Sequence, residues 1–236
     1  EGTFEEFVSR TPASEGWYEG GLYHDNEPWG VPGLWFNSWY DVSIGPNMAL
    51  FNHARENGMD AEVRDNQYVV AAPNNHCQFA GLGPEFVSGD RDLGDTTFDD
   101  QGLIWSWRDK WLKGDEEAFD PKTPHVQYFT MGSNKWQGDE QWPPVAAEEV
   151  KMYLTSNGNA NSLYGDGSLS FDAPTGDGSD SYNYDPMIPV KTIGGGDCCN
   201  GGIVTAGSFD QRTIEARQDV LVYTSDPLDE AIEVTG

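Results

Sequence analysis

Apolar residues in this chain are bunched rather than spread, and the bunches carry two different periods. Val31-Pro32-Gly33-Leu34-Trp35-Phe36-Asn37-Ser38-Trp39-Tyr40 is a compact apolar run, rich in aromatics and bounded by Gly and Pro, and it predicts a strand ending at Tyr40. From Pro46 to Asn57 the spacing becomes helical, with Met48, Leu50, Phe51 and Ala54 on one side and Asn57-Gly58 as the stop signal. Asn66 to Ala72, with its unbroken Tyr68-Val69-Val70-Ala71-Ala72, predicts a second strand of the fully buried type, followed at once by Pro73-Asn74-Asn75-His76. Strand, helix, strand in that order implies a parallel sheet joined by a right-handed crossover. Another helix is marked by Asp99 and Asp100 at its start, Lys110 and Lys113 late, and Gly114 after it. Its apolar face, Leu103, Ile104, Trp107, Trp111 and Leu112, is expected to cover the sheet. His125 to Met131 reads as one more strand, and Gln141-Trp142-Pro143-Pro144 closes the segment.

Beyond Pro144 the texture changes to short strands, such as Val150 to Leu154 and Val220 to Thr224, between long Gly/Asp/Asn/Ser stretches. That pattern predicts an all-β module of sandwich or jelly-roll type. Residues 1–30, rich in Glu, Gly and aromatics without clean periodicity, read as the tail of an insertion or cap. Three zones result: 1–30, an α/β portion over 31–145 and a β-rich portion over 146–236. No internal repeat is evident.

Composition narrows the partners. The chain has 236 residues with 13 Lys plus Arg against 40 Asp plus Glu, a formal net charge of −27, which repels phosphate backbones and anionic membrane surfaces. Nucleic acid and membranes are therefore not expected partners, and no stretch approaches the roughly 20 apolar residues of a membrane span. Such acidity suits plain solubility or salty surroundings, where screening shortens the reach of self-repulsion. The opening Glu1-Gly2-Thr3-Phe4 has no initiator Met and no leader pattern, and reads as an internal start. Location stays open, the periplasm and the cell exterior included. The three cysteines form no secretory framework and no metal-ligand spacing.

Candidate chemistry follows from where the strands end. In a parallel sheet the functional side chains sit in loops at the carboxyl ends of strands, where the loops converge over one crevice. Asp41 and His76 each follow directly on a predicted strand of the same crossover unit. An Asp against one imidazole nitrogen fixes the tautomer and stabilises the imidazolium formed when the other nitrogen takes a proton. Asp before His is also the order of an α/β-hydrolase triad, in which the nucleophilic Ser precedes both.

The wording around these residues resembles the CocE/NonD family of serine hydrolases, which groups cocaine esterase, α-amino acid ester hydrolases and X-Pro dipeptidyl-peptidases. The resemblance runs from residues 32–41 through Ala72-Pro73-Asn74-Asn75-His76, Trp107 to Gly114 and Tyr128 to Trp136, then Trp142-Pro143-Pro144 and Tyr184-Asp185-Pro186. It continues through Gly194 to Cys199, Asp210-Gln211-Arg212 and Ala216 to Ser225. It implies the C-terminal part of an α/β-hydrolase sheet after a cap insertion, followed by an incomplete jelly roll. It also implies Asp41 as triad acid and His76 as triad base. The family's Gly-x-Ser-x-x-Gly nucleophile elbow is missing. Gly165-Asp166-Gly167-Ser168 and Ala206-Gly207-Ser208-Phe209 fall after His76, which is the wrong order.

Other residues weigh less. Cys77 adjoins His76, but neighbouring side chains in an extended loop point apart, and a catalytic thiol needs its base within about 3 Å. Cys198-Cys199 could close a strained vicinal disulfide, though a reduced pair suits the loop better. The Asp-rich stretch from Asp166 to Asp185 lacks the EF-hand spacing and reads as solvated loop. His24, His53 and His125 have no ligand-spaced partner, so no metal and no cofactor is expected. Trp35, Trp39 and Tyr40 could line an acyl pocket, although buried aromatics more often belong to a core.

The expectation is a segment of a longer serine hydrolase that cleaves a small-molecule ester or amide, with the Ser upstream. The segment by itself would be inactive. It would associate with the remainder of the same protein or with a second copy, because unpaired sheet edges invite pairing. The other reading is a non-catalytic β-module that binds a partner or carbohydrate through exposed aromatics of the last third. A His76 ring within about 3 Å of the Asp41 carboxylate discriminates in favour of the hydrolase.

Overall fold

A computed structural model describes residues 4–12, 14–17, 27–176, 178–198 and 203–235. His24 and Cys199 lie outside them, and with Cys199 the question of a vicinal disulfide. A short helix α1 (Phe4–Ser9) opens the described chain, and the main sheet begins with β1 (Gly33–Tyr40), as the aromatic run predicts. Helix α2 (Ile44–Glu56) follows, then the short α3 (Ala61–Asp65) and β2 (Gln67–Asn75). α2 starts two residues before Pro46, which places the proline in the first turn, where its missing N–H costs nothing. β2 runs past the predicted end at Ala72 and through Pro73 to Asn75.

A hairpin of β3 (Phe86–Ser88) and β4 (Arg91–Gly94) intervenes before α4 (Asp100–Lys113). The sheet is completed by β5 (Val126–Thr130) and β6 (Lys135–Asp139), in the order β1-β2-β5-β6. β1, β2 and β5 are parallel and β6 is antiparallel to β5. The predicted parallel unit is thus present, with Leu34 opposite Tyr68 and Val69 opposite Val126.

Eight of the nine β2 residues are buried, the mark of a strand covered on both faces. Successive side chains alternate between faces. Val69 and Ala71 join Met48 and Phe51 of α2 together with Val126 and Tyr128 in one core cluster. On the opposite face Tyr68 meets Trp107 of α4, ring centres 5.8 Å apart, and Phe119 at 4.9 Å. Helices therefore flank both faces. The apolar stripe expected to seat α4 does so only in part: no α4 residue is fully buried, and Leu112 is 79% exposed. Trp107 reaches the sheet, whereas Leu112 at the helix end points past it.

Beyond Pro144 the described residues form one short antiparallel pair, β7 (Tyr153–Thr155) with β8 (Ser168–Ser170). Isolated bridges join Asn161 to Leu221 and Ser168 to Thr224. The predicted strand over Val220 to Thr224 is thus present as two bridges, and that over Val150 to Leu154 is shifted to Tyr153–Thr155. A single turn of helix, α5 (Arg212–Glu215), interrupts this half. Among the described residues no helix is long and apolar enough to cross a membrane.

Candidate active site

Asp41 is the first residue after β1 and His76 the first after β2, so two neighbouring parallel strands deliver both to one edge of the sheet. The pairing of β1 with β2 slips between Ser38 and Tyr40, bringing Tyr40 opposite Asn75, directly before the two residues of interest. His76 Nδ1 lies 2.5 Å from Asp41 Oδ2. A carboxylate can only accept, so Nδ1–H is the donor and the lone pair of Nε2 is left to take a proton. The ring is 41% exposed while the carboxylate is 11% exposed, which keeps the carboxylate sheltered and the imidazole reachable.

The other carboxylate oxygen is held by Ser43, a residue that sequence reasoning missed. Its backbone N–H donates to Asp41 Oδ1 at 2.9 Å and its hydroxyl at 2.8 Å. The signal was available, because Asp followed two residues later by Ser at the mouth of a helix is an Asx-turn pattern. Burial alone would push the Asp41 carboxyl up. The Ser43 N–H, the His76 ring and the Ser43 hydroxyl outweigh it and hold the carboxyl below its ordinary value. Asp41 is therefore an ionised, oriented acceptor.

The remaining candidates are spent elsewhere. Cys77 is exposed and sits in the left-handed region at φ 57°, turning the chain sharply after His76. Trp35 and Trp39 pack against the core cluster, and the Trp39 ring N–H donates to the Phe129 carbonyl at 2.8 Å. His125 stacks on Tyr68 and accepts burial at the cost of a lowered pKa. His53 approaches the Glu27 carbonyl at 3.1 Å. In the Asp-rich stretch, Asp180 accepts from the Ser156 hydroxyl, the Ala160 N–H and the Tyr223 hydroxyl, which ties together three loops of the β-rich half. Ser168 lies within β8 and the Ser208 carbonyl accepts from Asp90 N–H.

A mostly parallel sheet flanked by helices, with an imidazole–carboxylate pair at the carboxyl ends of adjacent strands, places the chain among α/β proteins. Comparison narrows this. Residues 118–236 match the family described as the X-Pro dipeptidyl-peptidase C-terminal non-catalytic domain, and the chain belongs to this group of CocE/NonD proteins. Asp41 and His76 lie outside the matched span.

The chain is 29% identical to cocaine esterase of Rhodococcus sp. (strain MB1 Bresler) over 236 residues, covering 98% of this chain and 38% of that protein. It is 30% identical over 216 residues to the "Putative serine esterase Mb1866c" of Mycobacterium bovis, covering 85% of this chain and 31% of that one. The crystal structure of an aminopeptidase from a marine sediment archaeon, Thaumarchaeota archaeon, shares the fold with a TM-score of 0.65 at 22% identity, over 87% of this chain and 32% of that one. The chain thus spans between 31% and 38% of the length of these relatives.

Proposed function

We propose that Asp41 and His76 are the acid and base of a serine-hydrolase triad, and that the full-length protein cleaves esters or amides of small acyl groups. The observation that carries this reading is the 2.5 Å contact between His76 Nδ1 and an Asp41 carboxylate already fixed by Ser43. In this reading a Ser outside these residues attacks the acyl carbon while His76 Nε2 takes its proton. The same nitrogen returns the proton to the leaving group, and water then releases the acyl group by the reverse sequence. Asp41 keeps the ring in the tautomer this requires. Residues 31–145 would belong to the hydrolase sheet and 146–236 to a jelly roll. The esterase and peptidase relatives support the hydrolase class and leave the substrate open.

The test uses the full-length protein, a chromogenic ester and a fluorophosphonate that labels activated serines. Wild type is expected to turn over the ester and take up one label. His76→Ala should abolish both, and Asp41→Asn should cost about 10⁴-fold in kcat by favouring the wrong tautomer. Full activity in His76→Ala would refute the assignment.

A further inference from the structure

The β-rich half crowds against the turn that carries Asp41. A Cβ on Gly196 would stand 3.1 Å from the Asp41 carbonyl oxygen and 3.3 Å from its carbonyl carbon. The next N–H, that of Asp197, donates to the Tyr40 carbonyl at 3.2 Å. The end of β1 is therefore gripped from outside the sheet, at the peptides on either side of the Asp41 α-carbon. One residue earlier, Gly195 and Gly207 exchange two backbone hydrogen bonds, at 2.8 and 3.0 Å.

From Gly207 the contact passes to the β3–β4 hairpin, which belongs to the segment leaving His76. A Cβ on Gly207 would stand 2.9 Å from Gly89 N and 3.1 Å from Ser88 Oγ. The Ser208 carbonyl accepts from Asp90 N–H at 2.7 Å, and Asp210 N–H donates to the Asp90 carboxylate at 3.2 Å. Main chain thus lies on main chain from the Asp41 turn, through Gly196, Gly195 and Gly207, to the hairpin. At Gly207 a Cβ would collide with the hairpin backbone, and at Gly196 it would push the Asp41 peptide back by a few tenths of an ångström.

We propose that this glycine clamp positions the acid–base pair: the β-rich half holds the Asp41 turn at one end and the hairpin after His76 at the other, fixing the carboxylate against the ring. The proposal rests on the reading of Asp41 and His76 as acid and base. Gly196 and Gly207 touch neither ring nor carboxylate and act as positioning residues. Their leverage is geometric. The Asp41 side chain hangs from the residue whose carbonyl Gly196 faces, so a few tenths of an ångström there tilts the carboxylate, and misplacement of about 1 Å can cost about 10²-fold in rate.

Gly196→Ala and Gly196→Val in the full-length protein test this, beside Gly176→Ala, whose Cβ would meet nothing within 4 Å. The readouts are the melting temperature, the far-downfield proton signal of His76 Nδ1–H, and kcat and KM on a chromogenic ester. The expected result for Gly196→Val is a folded protein whose Nδ1 proton signal is lost or moved upfield. Its kcat should fall about 10²-fold with KM changed less than about twofold. Gly196→Ala should fall between this and wild type, and Gly176→Ala should match wild type. A folded Gly196→Val with unchanged signal and unchanged kcat overturns the clamp. Should Gly196→Val fail to fold, Gly196→Ala decides by the same two readouts. A wild type with the signal but no ester turnover refutes the hydrolase reading alone, and the clamp then stands or falls on whether the variants lose the signal.

Discussion

Asp41 shows how one side chain is prepared by its neighbours. Two donations from Ser43 and one from His76 face a carboxylate whose pKa burial alone would raise, and the donors win. The folded pKa is therefore depressed below the ordinary 3.8. The sign follows by linkage: the folded state binds this proton less readily than the unfolded chain. Its stabilising contribution is present above the unfolded value and is lost as pH falls through the folded one. Asp41→Asn should consequently be less stable than wild type at neutral pH, and the gap should close below about pH 4. Urea denaturation in steps from neutral to acid pH measures it. A gap that stays constant would show that the carboxylate's charge is not the cause.

At the scale of elements, α4 displays local signals at work. The Asp99 carboxylate caps the helix by accepting from Gly102 N–H at 2.8 Å, and Gly114 ends it at φ 74°, where its N–H returns to the carbonyls of Asp109 and Lys110. Gly114→Ala should cost about 1 kcal/mol, because only glycine takes that conformation freely. Chemical denaturation would detect the loss, and unchanged stability would mean that the cap relaxes. Both helix ends were legible in the sequence for this reason, as were β1, β2, β5 and the pair Asp41/His76 set by their strand ends. The strands that were not legible had no period to show. Lys135-Trp136-Gln137-Gly138-Asp139 carries one large apolar side chain, and its place beside β5 is decided by long-range pairing. The β3–β4 hairpin is three residues against four around Gly89-Asp90, short enough for its turn to be the main signal. Ser43 was missed because it acts through a hydrogen bond rather than through its own chemistry.

For the molecule as a whole, the net charge of −27 sets the response to salt. Exposed ion pairs such as Arg212 with Asp210 and Lys113 with Asp109 contribute little, because solvent screens them, and salt weakens them further. The surplus of like charge acts in the other direction, since its repulsion falls as the screening length drops from about 10 Å at 0.1 M to about 3 Å at 1 M. The surplus outnumbers the pairs, so the melting temperature should rise between those concentrations of sodium chloride. A fall would show that the ion pairs dominate. The glycine contacts between the halves have a consequence for grafting as well. A β-rich half whose backbone lies on Asp41 at one loop and on the Gly89 turn at another is no portable cassette. A graft of it onto another hydrolase sheet would have to bring both seats along, the Asp41 turn and the Gly89 turn.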